Sequence, residues 1–342
     1  MTGARHKPVL LGEVLAALAP ADGETHVDAT LGAGGYARAI LETAKCRLVA
    51  FDRDPTAHAD AAAWAPTYAD RFLAVDRPFA ALAAGLADAG VGPVDGVVFD
   101  LGVSSMQLDD GARGFSFLRD GPLSMRMDGK KPDAADVVAL AETGDLAAIF
   151  RAYGEEKRAA SLARAVIAAR ADAPIETTGR LAAVVEAATP AKLKATTRIH
   201  PATRVFQALR IFVNDELGQL ARALTAAEAV LRAGGRLVVV TFHSLEDRIV
   251  KRFFADRSGR AGAVSRHEPA ADGPPPTFLQ TVAKAAAPQA DEIAANPRAR
   301  SAKLRAGVRT AAPARSDAAA FAPPPLSLSK SMAAFVETGS FA

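Results

Sequence analysis

The sequence predicts an α/β protein, a parallel sheet covered by helices on both faces, with an all-helical domain inserted into it. Three observations predict this. Short β-branched runs alternate with alanine-rich helical segments from His26 to Phe99, the pattern of a parallel sheet wrapped on both sides. The alternation then stops, and no strand of comparable strength returns until Arg236. Between them lies a stretch rich in Ala, Arg and Lys with helical periodicity, as in Arg158–Arg170, where Leu162, Val166 and Ala169 share a face.

In chain order, strands are expected at His26–Asp28, Arg47–Phe51, Arg71–Val75, Val94–Phe99 and Arg236–Phe242, with one more over Thr277–Val282. Helices are expected at Tyr36–Thr43, Thr56–Trp64 and Phe79–Ala89. Pro201 is placed to start the helix that leads back to the sheet at Leu231, and Gly234-Gly235 to end it. The domain reading is residues 1–106 for the first part of the sheet domain, 107–206 for the insertion and 207–310 for the second part. Residues 311–342, with Pro323-Pro324-Pro325, read as a flexible C-terminal segment.

Composition narrows the class. The 342 residues carry 41 basic and 38 acidic side chains, a net charge of +3 too mild to announce nucleic-acid binding by itself. A single cysteine, Cys46, excludes a disulfide within the chain. Met1–Pro8 has no apolar run after its basic residues, so no signal peptide is expected. No window holds the roughly 18 apolar residues of a membrane helix. The expectation is a cytoplasmic protein.

The strongest local signal is Asp28-Ala29-Thr30-Leu31-Gly32-Ala33-Gly34-Gly35-Tyr36, where the first strand ends and the first helix begins. Such a crossover is the usual ligand site of an open parallel sheet. A dinucleotide loop reads Gly-x-Gly-x-x-Gly and seats a pyrophosphate on the helix start. Here the glycines are Gly32, Gly34 and Gly35, and an acid stands just upstream. That acid repels a pyrophosphate and suits an ammonium group. S-adenosylmethionine carries an amino group and a sulfonium, and no phosphate. Asp52, after the second strand, is placed to accept both ribose hydroxyls, or only to cap a helix. Phe79, after the third, either stacks on adenine or caps the next helix. Asp100, after the fourth, stands beside a reactive methyl or caps a turn.

Longer strings then point to one family. They include His6-Lys7-Pro8-Val9-Leu10-Leu11, Asp100-Leu101-Gly102-Val103-Ser104-Ser105-Met106-Gln107-Leu108-Asp109, Arg113-Gly114-Phe115-Ser116-Phe117 and Asp120–Asp128. Further on come Thr203–Ile211, Phe242-His243-Ser244-Leu245-Glu246-Asp247-Arg248 and Asn296–Arg305. From about His6 to Arg309 the chain resembles the bacterial RsmH family, also called MraW. The resemblance implies a Rossmann-like class I methyltransferase sheet. The implied activity is S-adenosylmethionine-dependent N4-methylation of a cytidine in 16S, small-subunit ribosomal RNA, near the decoding site. It also implies cofactor contacts at Gly34, Gly35, Tyr36, Asp52, Phe79, Asp100 and Gln107, with no metal assigned. Two positions depart from the family pattern. Tyr36 stands where histidine is usual, so its backbone is expected to matter more than its ring. Met106 stands where proline is usual.

For chemistry at an exocyclic amine, Asp100 is the first candidate to accept a hydrogen bond or proton, and His243 the second, with Asp109 and Asp128 as further polar candidates. A lone histidine after a strand serves a structural hydrogen bond at least as often. The substrate reading is small-subunit rRNA or the assembled subunit. Lys192, Lys194, Arg198, Arg204 and Arg210 lie in an acid-free stretch and are the RNA-binding candidates; a solvated helix face is the plainer alternative. A second acid-free basic stretch runs from Asn296 to Arg315. Two rival classes are a nicotinamide-dependent oxidoreductase, which Asp52 favours and the loop spacing opposes, and a non-catalytic RNA-binding protein on a degenerate scaffold.

Overall fold

The computed structural model describes residues 8–196, 199–260, 274–282 and 284–338. His6 and Lys7 of the family strings and the RNA candidate Arg198 lie outside them. Among the described residues no helix is long and apolar enough to cross a membrane.

The sheet has seven strands: β1 Thr25–Asp28, β2 Arg47–Asp52, β3 Phe72–Asp76, β4 Val94–Asp100, β5 Leu231–Thr241, β6 Phe278–Gln280 and β7 Lys303–Arg309. Their order is β3-β2-β1-β4-β5-β7-β6. The first five pair in parallel, and β7 runs antiparallel between β5 and β6. This is the Rossmann-like α/β sheet the sequence predicts. Four helices punctuate its first half: α1 Leu11–Leu18, α2 Gly35–Thr43, α3 Pro55–Trp64 and α4 Leu82–Asp88.

Alternation along the strands builds two buried faces. Leu48 and Ala50 of β2, Val98 of β4, Val238 and Val240 of β5 and Leu304 of β7 share one core with Val14 and Leu18 of α1 and Ile40 and Leu41 of α2. Val49, Phe51, Val97, Phe99, Leu237 and Val239 are fully buried on the alternate positions. There Gly85 of α4 lies so close to Phe51 that a Cβ would stand 2.5 Å from the ring.

The chain divides into two compact units. One comprises Met1–Gly102 and Leu217–Pro323, the other Val103–Glu216 and Pro324–Ala342. The second unit is helical: α5 Ser105–Asp109, α6 Ala134–Leu140, α7 Thr143–Gly154, α8 Ala159–Asp172, α9 Thr178–Ala187, α10 Ala191–Thr196 and α11 Thr203–Asn214. Its core gathers Ile149 and Phe150 of α7, Leu162 and Val166 of α8, and Val205 and Leu209 of α11. The long helix α12 Glu216–Val230 returns the chain to β5, and α13 Ser244–Arg257, α14 Ala290–Ala295 and α15 Lys330–Thr338 follow.

Four features differ from the sequence reading. The expected single helix from Pro201 is two, broken at Asp215, which adopts a left-handed φ of 47°. Gly234-Gly235 does not end a helix; it lies inside β5, beside the register shift between Val94 and Gly96. The basic stretch after Asn296 contains β7, and its cations are internally engaged: Lys303 and Arg305 bond Asp247 at 2.9 and 2.7 Å, and Arg309 donates to the Glu228 carbonyl. The segment expected to be flexible is tied down. Phe321 is buried in the first unit, and Ser329 donates from N and Oγ to the Asp145 carboxylate in the second, where Met332 is also buried. The expected limits of the insertion, 107 and 206, fall inside the second unit.

Candidate cofactor crevice

The strand order reverses its direction of growth at β1: the chain adds β2 and β3 to one side, then β4 and β5 to the other. Backbone at that point faces both neighbours. The Ala29 N–H bonds Val98 O on β4 at 2.9 Å, and two residues later the Leu31 N–H bonds Phe51 O on β2 at 2.9 Å. The segment after β1 is thus splayed across the carboxyl ends of three strands, which opens a crevice there.

The glycines make the next turn possible. Gly34 adopts φ 73°, a left-handed conformation that favours glycine. A Cβ on it would stand 2.4 Å from the Trp64 indole, and one on Gly35 would stand 2.4 Å from Pro8 Cγ. These two positions are therefore glycine because the protein's own side chains cover the loop, a requirement additional to ligand approach. Tyr36 begins α2 with its ring buried and its hydroxyl donating to the Val9 carbonyl. The expectation that its ring matters little is corrected: the phenol ties the N-terminal segment to the loop helix. Burial, then the nearby charges of Asp100 and Asp28, holds that phenol well above its usual range.

Asp52 closes the loop from β2. Its Oδ2 accepts the Gly32 N–H at 2.8 Å and its Oδ1 the Asp54 N–H at 2.9 Å. Burial raises its carboxyl, and those amides act against the rise. Each oxygen keeps a lone pair, which is what a ribose diol needs. Phe79 follows β3 and meets Phe99 edge-on at 6.0 Å.

Two acids stand deeper. Asp28 is 1% exposed; its Oδ1 accepts the Thr30 N–H at 3.0 Å and its Oδ2 has no donor. Burial above all, and then Asp52, pushes its carboxyl up to about 7. Asp100 ends β4; its backbone N–H donates to Thr30 Oγ1 at 2.7 Å, and its buried Oδ1 has no donor. Burial, reinforced by Asp28 and Glu246, holds it well above the usual carboxylate range. Asp28 and Glu246 are the crevice residues that the site prediction left out. The signals for both were present: an acid before the glycine loop, and a His-Ser-Leu-Glu capping pattern after β5.

The other predicted residues divide. His243 is the N-cap of α13: its Nδ1 accepts the Glu246 N–H at 3.5 Å, and its Nε2 lies 3.1 Å from Glu246 Oε1. Its observed task is thus the structural one. Gln107 belongs to the second unit, buried, where its Oε1 accepts the Ser104 N–H in a capping box. Asp128 is held by Arg126 through bonds of 2.9 and 2.6 Å, and Asp109 is exposed. Of the RNA candidates, Lys192 and Lys194 are exposed and Arg204 donates to Glu155 O. Arg210 is committed to Glu216 by two 2.8 Å bonds, because an acid stands just beyond the acid-free window.

An acceptor-lined crevice with buried, donorless carboxylate oxygens suits a cationic ligand carrying a ribose. It does not suit a pyrophosphate. Comparison with known proteins agrees. The chain is 53% identical over 319 residues to the Ribosomal RNA small subunit methyltransferase H of Maricaulis maris, covering 93% of this chain and 95% of the relative. It is 55% identical over 309 residues to the protein of that name from Parvibaculum lavamentivorans (90% and 91% covered) and 56% over 308 to that from Sinorhizobium fredii (90% and 88%). The profile of the MraW methylase family matches residues 3–310, and the chain belongs to that family.

Proposed function

We propose that this chain transfers a methyl group from S-adenosylmethionine to N4 of a cytidine in small-subunit ribosomal RNA. The observation that carries the reading is the pair of buried carboxylate oxygens, Asp28 Oδ2 and Asp100 Oδ1, at the topological switch point, with Asp52 beside them. The residues fit the cofactor: Asp28 for its ammonium, Asp52 for its ribose, the amides of Gly34 to Tyr36 and Phe79 for the rest of the nucleoside, with Gln107 from the second unit. When bound, S-adenosylmethionine supplies an electrophilic methyl on sulfur. The names of the relatives supply the RNA as substrate.

The exocyclic amine of cytosine is a weak nucleophile, because its lone pair is delocalised into the ring. Most of the acceleration therefore comes from holding it in line. An ionised Asp100 at the edge of β4 accepts a hydrogen bond from the amine, localises the lone pair, and takes the proton that must leave. Phosphate contact falls to exposed cations, and Lys192 and Lys194 of α10, with Arg204, remain the candidates. The target base must leave its stack to enter the crevice. The reaction belongs to the cytoplasm, with the ribosomal subunit or its RNA as partner.

Labelled S-adenosylmethionine should transfer methyl to small subunits or their RNA from cells lacking this protein, and not to large subunits. Label on large subunits alone, or none on RNA, would refute the assignment.

A further inference from the structure

The crevice holds more carboxylate than its own hydrogen bonds balance. Asp28 and Asp100 sit at the ends of neighbouring parallel strands, each with one buried oxygen that meets no donor. The Thr30 hydroxyl links them, accepting the Asp100 N–H at 2.7 Å and lying 3.4 Å from Asp28 Oδ1. The groups that face the pair bring no compensating cation. They are Asp52 from β2, Glu246 from the start of α13 and the Tyr36 phenol from α2. Glu246 accepts the N–H groups of Phe242 and His243, and the His243 ring lies against it. Asp52 has Asp54 and His58 as its own neighbours. Two carboxylates in one dry place, with other acids around them, do not both ionise.

We propose that Asp28 and Asp100 share one proton before the cofactor binds, and that binding of S-adenosylmethionine expels it. The inference rests on the cofactor reading above. The balance is simple: one carboxyl O–H bond breaks, the proton passes to the solvent, and the carboxylate left behind faces the positive charge of the ligand. Burial has already lifted the Asp28 carboxyl to about 7, so the exchange falls in the neutral range. The consequence joins binding to chemistry, since the same event leaves Asp100 ionised as a proton acceptor. Affinity must then rise with pH, because the form that binds is the deprotonated one.

Isothermal titration of S-adenosylmethionine, and of S-adenosylhomocysteine, in buffers of different ionisation heat counts the protons. At pH 6.5, below the titration of the ligand amine at about 8, each S-adenosylmethionine should release between about half and one proton. Its Kd should weaken about tenfold from pH 6.5 to 5.5. S-adenosylhomocysteine, which lacks the sulfonium charge, should release less. In Asp28→Asn the release should drop to about a fifth of a proton or less. As a second readout, the melting temperature of the free wild-type protein should fall between pH 5 and pH 7.5, and this fall should flatten in Asp28→Asn. The sign follows from a native carboxyl that keeps its proton to higher pH than the unfolded one: stability is lost as pH rises. Cofactor binding with no proton release, or equal release in Asp28→Asn, would overturn the proposal while leaving the cofactor reading intact. Failure to bind either ligand would overturn both.

Discussion

Replacing Asp100 with asparagine should lower single-turnover methyl transfer by about 100- to 10,000-fold at saturating cofactor and RNA. The variant is nearly isosteric, and the backbone N–H that bonds Thr30 Oγ1 remains. What it removes is a carboxylate that can accept a proton at the end of β4. Cofactor affinity should change far less than rate if Asp100 serves mainly the amine, and equally if it serves mainly the ligand. The split between Kd and single-turnover rate therefore assigns its role. Turnover within about threefold of wild type would remove Asp100 from the chemistry altogether. The wild-type rate should also fall as pH drops below neutral. Burial holds Asp100 above the usual carboxylate range, so acid returns it to the neutral form that accepts nothing.

The largest stability effect is expected far from the crevice, at Arg257. Its side chain is fully buried beside an equally buried Glu228, with Nε 2.6 Å from Oε2. Asp256 and Asp317 complete the fork, and the rings of Phe253 and Phe321 sandwich the guanidinium at 5.3 and 4.8 Å. Arg315 reaches the same acids, its N–H bonding Glu228 Oε1 at 3.1 Å and its guanidinium pairing with Asp256 and Asp317. Arg257→Met keeps most of the packing but strands the Glu228 carboxylate in the interior, at a cost of about 3–5 kcal/mol. A melting point lower by roughly 6–20 °C should follow for a unit of this size. Adding Glu228→Gln should recover much of the loss, because the stranded charge, more than the lost bond, is what destabilises. A single variant melting within about 1 °C of wild type, or a double variant no better than the single, would contradict this account.

That network explains why the end of the chain was hard to read. Pro323-Pro324-Pro325 and scattered alanines have the composition of a loose tail, yet Arg315, Asp317 and Phe321 are partners of side chains on α12 and α13. No local pattern encodes a contact made across sixty residues. β7 was hidden for a related reason. Lys303, Arg305 and Arg309 break its apolar run, and only Asp247 and the Glu228 carbonyl make those cations acceptable inside a sheet. The first four strands were legible because each is an apolar run closed by an acid or a turn, which is a local property. Within the crevice, Asp52 and Asp100 followed from their places after strands. Asp28 was noticed for its charge and its depth was missed, since burial at 1% is set by neighbouring strands. Arg210 was misjudged because its partner Glu216 lies two residues past the basic stretch.

The account rests on which atom receives the methyl group. Small-subunit RNA methylated by this protein with labelled S-adenosylmethionine, digested to nucleosides and separated, should place the label in N4-methylcytidine. Label in C5-methylcytidine, in another base or in a ribose would contradict the assignment of an acceptor at Asp100 to an exocyclic amine.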